Sequence, residues 1–138
     1  MDADNIDKLV QTCDQPYDVG PSAAPLVDEG IAYYTTWTGS LVALDYTECT
    51  IVWETNVTAA ILNFAPMTEL QRSSGINAVS RSSPVTDGQV LFIATVAHAL
   101  VMAVDKNSGV IISALQVDDH PVGIVTQSPT FFEGQLLV

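Results

Sequence analysis

Few side chains in this sequence are of types that do chemistry, and they lie far apart. Arg81, one of only four cations, stands directly before Ser82-Ser83-Pro84, which opens a predicted strand. Its guanidinium can hold a carboxylate through paired hydrogen bonds; the alternative is a structural ion pair in an acidic chain. Trp37 could stack on a planar ligand or pack between structural repeats. His120, before Pro121, is a further binding candidate, its alternative being a loop residue satisfied by its neighbours. Asp118 and Asp119 could together bind Ca²⁺, or form a solvated pair. Cys13 and Cys49 permit one disulfide and no zinc site, because His98 and His120 fall in no metal-clip spacing with them; two buried free thiols are the other possibility. Asn56-Val57-Thr58 fits the N-glycosylation pattern, which matters only in a secreted eukaryotic protein and arises often by chance.

The elements that position these residues must come from a chain of 138 residues, 48% hydrophobic, with 4 Lys and Arg against 16 Asp and Glu and a formal net charge of -12. That much apolar material offsets ordering entropy and argues for a packed core. So few cations cannot neutralise a phosphate backbone or an anionic lipid surface, which excludes nucleic acid and charged membranes as partners. No apolar run reaches the ~20 residues of a membrane span. The stretch from Met1 to Asn5 has no positive region leading into an apolar one, so no signal peptide is visible.

The chain repeats itself. Pro25-Leu26-Val27-Asp28 and Pro84-Val85-Thr86-Asp87 open two copies, each continuing to an aromatic (Tyr33, Phe92), a Leu (Leu41, Leu100) and an Ala-apolar-Asp triplet (Ala43 to Asp45, Ala103 to Asp105). A third begins at Ser128-Pro129, with Glu133-Gly134 matching Glu29-Gly30. Each full copy reads as four short strands: Ala24 to Val27, Ile31 to Thr35, Leu41 to Asp45 and Ile51 to Thr55, then Ser82 to Thr86, Val90 to Thr95, Leu100 to Asp105 and Val110 to Leu115. Gly30, Gly39, Gly88 and Gly109 punctuate the turns. No segment shows a sustained helical period, so the expected fold class is all-β, built of four-stranded antiparallel β-propeller blades. The expected division is 1–20 as the end of a preceding blade, with Leu9 to Cys13 its last strand, 21–58 a blade, 59–80 an inserted loop, 81–117 a blade and 118–138 the start of another.

The stretch from Ala43 to Trp53 resembles the tryptophan-docking motif of pyrroloquinoline quinone (PQQ) repeat propellers, Ala-x-Asp-x-x-Thr-Gly-x-x-x-Trp. Ala43, Asp45 and Trp53 match, while Glu48 and Cys49 replace Thr and Gly. The second copy fails in the opposite places: Ala103, Asp105, Ser108 and Gly109 fit, and Ser113 replaces the Trp. Packing where Ser113 stands is expected to be poorer by ~3 kcal/mol. Asp119-His120-Pro121 with Thr126-Gln127-Ser128-Pro129, and Tyr34 to Gly39, most resemble polyvinyl-alcohol dehydrogenase-like quinoproteins.

The resemblance implies a ring of roughly eight blades, of which this chain would be a part, inactive alone and dependent on the remaining blades of a parent chain. The parent is then a PQQ-dependent alcohol dehydrogenase, oxidising a small alcohol by hydride transfer to the quinone, with Ca²⁺ polarising the quinone and an Asp base in another blade; no residue here is assigned a catalytic role. Arg81, Trp37 and His120 become candidate contacts to PQQ. The alternative is a non-enzymatic propeller of the same repeats acting as a protein-binding or assembly scaffold. The quinoprotein resemblance implies an extracytoplasmic, secreted or periplasmic location, which the cysteine pair, the glycosylation pattern and the scarcity of Lys fit.

Overall fold

The computed structural model describes residues 8–16 and 18–138; Met1 to Asp7 and Tyr17, within the stretch assigned to a preceding blade, lie outside the described residues. Two four-stranded antiparallel sheets follow one another. The first comprises β1 (Leu26–Asp28), β2 (Ile31–Thr35), β3 (Ser40–Asp45) and β4 (Thr50–Asn56) in that spatial order. The second comprises β5 (Val85–Thr86), β6 (Val90–Ala94), β7 (Leu100–Asp105) and β8 (Ile111–Gln116). A hairpin of β9 (Thr130–Phe132) and β10 (Gln135–Leu137) opens the third copy. Sequential antiparallel order with short turns is the up-and-down meander of a propeller blade.

Alternation along the strands sorts each sheet's two faces. Tyr33, Ala43 and Trp53 are register partners on one face of the first sheet, and Ala32 with Leu44 and Tyr34 with Val42 lie on the other. The first face buries Tyr33, Leu41 and Ala43 against Leu91, Ile93, Met102 and Val104 of the second sheet, and this seam is the main core. The opposite face of the second sheet meets the third copy, where Phe92 and Phe131 stack with centroids 6.0 Å apart. Both sheets carry a bulge at the same place, between Ala43 and Leu44 and between Ala103 and Val104, leaving Val52 and Ile112 as the extra, exposed residues. A bulge re-aims the side chains next to it, here Trp53 and Ser113.

Three expectations are corrected. The insertion is not a loop alone: α1 (Val57–Phe64) runs into it from the end of β4, and it holds α2 (Glu69–Ser73). Asn56 caps α1 by accepting from the Ala59 N–H, and Thr68 and Gln71 form a reciprocal capping box on α2, so part of the orphan donors at the start of each short helix is satisfied. Leu9 to Cys13 forms no strand. Its apolar alternation suits a strand, yet no neighbouring edge pairs with it among the described residues. The inner strands β1 and β5 also begin later than expected, because Pro25 and Pro84 bring no N–H to a ladder.

Candidate functional site

The turn between β2 and β3 presents Trp37. Thr36 shapes it: its N–H donates to the Ser40 carbonyl (2.9 Å), its hydroxyl accepts from the Ser40 N–H (3.0 Å), and the Gly39 N–H returns to the Thr36 carbonyl (3.1 Å). Gly39 is required here, since its φ is +90° and a Cβ would meet the Thr58 hydroxyl at 1.9 Å. Thr36 is fully buried while Trp37 remains 41% exposed. The corresponding turn of the second blade uses Thr95 in the same way, accepting from the Leu100 N–H (3.0 Å).

Arg81 comes to the same rim from the connection leading into β5. Ser80 and Ser82 on either side are buried and fix the backbone: both hydroxyls reach the Ala94 carbonyl (2.7 and 3.2 Å), and the Ala94 N–H donates to Ser82 Oγ (2.7 Å). Thr35 Oγ1 donates to the Ser82 carbonyl (3.1 Å), and Ser22 Oγ reaches the Ser80 carbonyl (2.8 Å), tying the blades together. With its neighbours turned inward, Arg81 turns outward, and its guanidinium carbon lies 5.1 Å from the Trp37 ring centroid. This is cation–π range. The structure therefore joins two of the predicted site residues, from different blades. No carboxylate among the described residues pairs with Arg81, whereas Lys106 pairs with Asp28 and Glu29.

His120 is not brought to this pair. It sits in the exposed loop after β8, where its N–H donates to Asp118 Oδ1 (2.9 Å) and its ring Nδ1 accepts from the Val122 N–H (3.3 Å). Asp118 is thus used by its own loop. Among the described residues no three His, Cys, Asp or Glu gather where a metal ion could bind.

A buried polar clasp has no counterpart among the residues singled out from sequence. His98, 8% exposed, occupies the turn before β7 with φ +62°, followed by Ala99 at +47°. Its Nε2 lies 2.9 Å from the Ala65 carbonyl and its Nδ1 3.3 Å from Gln71 Nε2. A carbonyl only accepts, so the ring proton is on Nε2 and Nδ1 accepts from the Gln71 amide. The clasp fixes the insertion against the second blade; the signal available in sequence was the capping box that orients Gln71.

At the opposite rim the docking motif closes. Asp105 Oδ1 accepts from the Asn107 and Ser108 N–H groups and the Ser108 hydroxyl (3.1, 2.8 and 2.7 Å), and Asp45 Oδ1 does the same with Thr47 and Glu48. The Ser108 and Thr47 side-chain hydrogen bonds, then the turn amides, hold both carboxyls below their usual range. Trp53 lies on the second blade's turn: its indole N–H donates to the Lys106 carbonyl (3.1 Å), and a Cβ on Gly109 would strike the ring at 2.6 Å. Lys106 reaches back to Asp28 (2.5 Å), a contact that raises its pKa.

The sequence matches no protein-family model and no curated protein. Among solved structures it is similar to a quinohemoprotein alcohol dehydrogenase from Pseudomonas putida (18% identity, TM-score 0.65, 88% of this chain and 17% of that one) and to the quinohemoprotein alcohol dehydrogenase from Comamonas testosteroni (18%, 0.62, 86% and 17%). It is also similar to BamB from Moraxella catarrhalis (15%, 0.55, 77% and 27%). At such identities the likeness establishes fold: the chain consists of β-propeller blades of the kind found in quinoprotein alcohol dehydrogenases and BamB. It spans less than a third of each of these proteins.

Proposed function

We propose that this chain is the part of a PQQ-dependent alcohol dehydrogenase-like propeller that carries one contact region for the quinone. The Arg81–Trp37 pair at the rim supports this reading: a planar cation beside a half-exposed indole offers a fork for carboxylates and an aromatic face for a planar ring. PQQ supplies the hydride acceptor when bound. Arg81 would neutralise and orient its carboxylates, and Ser80 and Ser82 keep Arg81 aimed outward. Ca²⁺ ligands and the catalytic base would come from further blades of the parent, and no step is assigned to Ca²⁺ here. The exposed apolar residues Val110, Ile112 and Leu115 on and beside β8 favour those further blades as partners. The Cys13–Cys49 bridge favours an extracytoplasmic location.

The test is PQQ titration of the full-length parent, followed by fluorescence, then dye reduction on adding a small alcohol with Ca²⁺. Arg81→Ala should weaken PQQ binding by about 10- to 100-fold, the loss of a charge-assisted hydrogen-bond pair, while thermal unfolding hardly moves. Wild-type parent that binds no PQQ would support the assembly-scaffold reading instead.

A further inference from the structure

A modification site lies on the outer edge of the first blade. Asn56-Val57-Thr58 is the sequence's single Asn-x-Ser/Thr pattern, and Asn56 is the last residue of β4, opposite Ser40 and exposed. Its two amide atoms have separate fates. Oδ1 caps α1 by accepting from the Ala59 N–H at 2.8 Å, whereas Nδ2 makes no hydrogen bond among the described residues. A sugar on Nδ2 replaces one amide hydrogen and leaves the carbonyl oxygen an acceptor, so the helix cap survives the modification.

We propose that Asn56 Nδ2 carries an N-linked oligosaccharide that lies over the open edge of β4. In the transfer, a bond forms between Nδ2 and the anomeric carbon of a lipid-linked oligosaccharide diphosphate. The bond from that carbon to the diphosphate oxygen breaks, the lipid diphosphate leaves, and Nδ2 gives up a proton. The fold sets the order of events. Val57 is 1% exposed and Thr58 Oγ1 donates to the Ala78 carbonyl (2.6 Å) beneath Gly39, so the pattern's hydroxyl is withdrawn once α1 docks. Transfer therefore precedes docking. The Cys13–Cys49 bridge, anchored on the same blade at Cys49, is independent support, because an oxidising secretory compartment provides both modifications.

The glycan has a physical use there. Among the described residues β4 pairs with β3 alone, and Val52, Glu54 and Asn56 along it are exposed. An edge strand of this kind is a template for intermolecular pairing. A hydrated oligosaccharide at its end blocks a second chain from approaching.

The test secretes the full chain from a eukaryotic host. Peptide N-glycosidase should lower the intact mass by one oligosaccharide and convert Asn56 to Asp in the peptide map. Thr58→Ala and Asn56→Asp should both abolish the shift, and Thr58→Ser should retain it. Asn56→Asp preserves the N-cap, so it separates glycan loss from helix loss; light scattering should show it aggregating several-fold faster than wild type. Unmodified Asn56 in secreted, disulfide-bonded protein overturns the proposal. A glycan on wild-type Asn56, with Asn56→Asp aggregating no faster, overturns its shielding role.

Discussion

Two turns of identical architecture, one in each blade, are covered by different chemistry. Asp45 and Asp105 each gather the amides of the turn that comes after them, and each turn ends on a left-handed residue, Cys49 at φ +55° and Gly109 at +72°. Above Gly109 lies the Trp53 ring, and Thr55 Oγ1 donates to the Gly109 carbonyl (2.5 Å). Above Cys49 lies Cys13, bonded to it, and Gln15 Nε2 donates to the Cys49 carbonyl (2.9 Å). Cys13 and Gln15 thus hold towards the first turn the stations that Trp53 and Thr55 hold towards the second, although no strand carries them. The docking motif belongs to the seam between blades and is divided between them. Trp53 serves the Gly of the next copy, where a Cβ would strike the ring. Cys49 is covered by Cys13 and meets no ring, so a Cβ has room there although its φ of +55° is left-handed.

Trp53→Ala has the largest expected effect, because it removes the indole from the seam between the two blades. It should cost about 3–5 kcal/mol in urea unfolding, and a loss under about 1 kcal/mol would mean the ring is ornamental. Reducing the disulfide, or Cys13→Ser, should cost about 3–4 kcal/mol for the sequence separation of 36; a melting temperature indifferent to reductant would refute this. Gly109→Ala should cost about 2 kcal/mol or more, combining a left-handed alanine with a Cβ driven into the ring. Cys49, already left-handed, meets no such clash, so Cys49→Ala under reducing conditions should differ little from reduced wild type.

Acid gives the smallest effect and tests the shared part of both turns. Asp45, Asp87 and Asp105 have folded pKa values lowered by hydrogen bonds they accept. Their stabilisation is therefore complete above the unfolded carboxylate range near pH 4 and is lost as pH falls through the lowered folded values. Urea midpoints should drop below about pH 4, and Asp45→Asn and Asp105→Asn should each flatten the drop alike. A change confined to one of them would show that the two turns are not equivalent.

The strands were legible because their alternation is reinforced by repetition: Ile31–Thr35 and Leu100–Asp105 stand where the apolar runs put them. The helices were not, since α1 is apolar nearly all round and α2 is a single turn, leaving only the caps at Asn56 and Thr68 as signals. Arg81 and Trp37 were each visible as unusual residues. Their meeting was not, because it depends on how far one blade's rim turn reaches across to the next blade's entry. The disulfide was an open choice in sequence, as no strand pairing or spacing dictates that Cys13 lies over a turn.

Lys106 and Arg81 give the electrostatics of the molecule an uneven grain. In a chain of net charge -12, two of its four cations bridge the same seam, one at each rim. Added salt then acts in two senses at once, relieving the diffuse self-repulsion of the carboxylates while weakening the Lys106–Asp28 ion pair that spans the seam. Ionic strength should shift how the blades separate more than how either one melts.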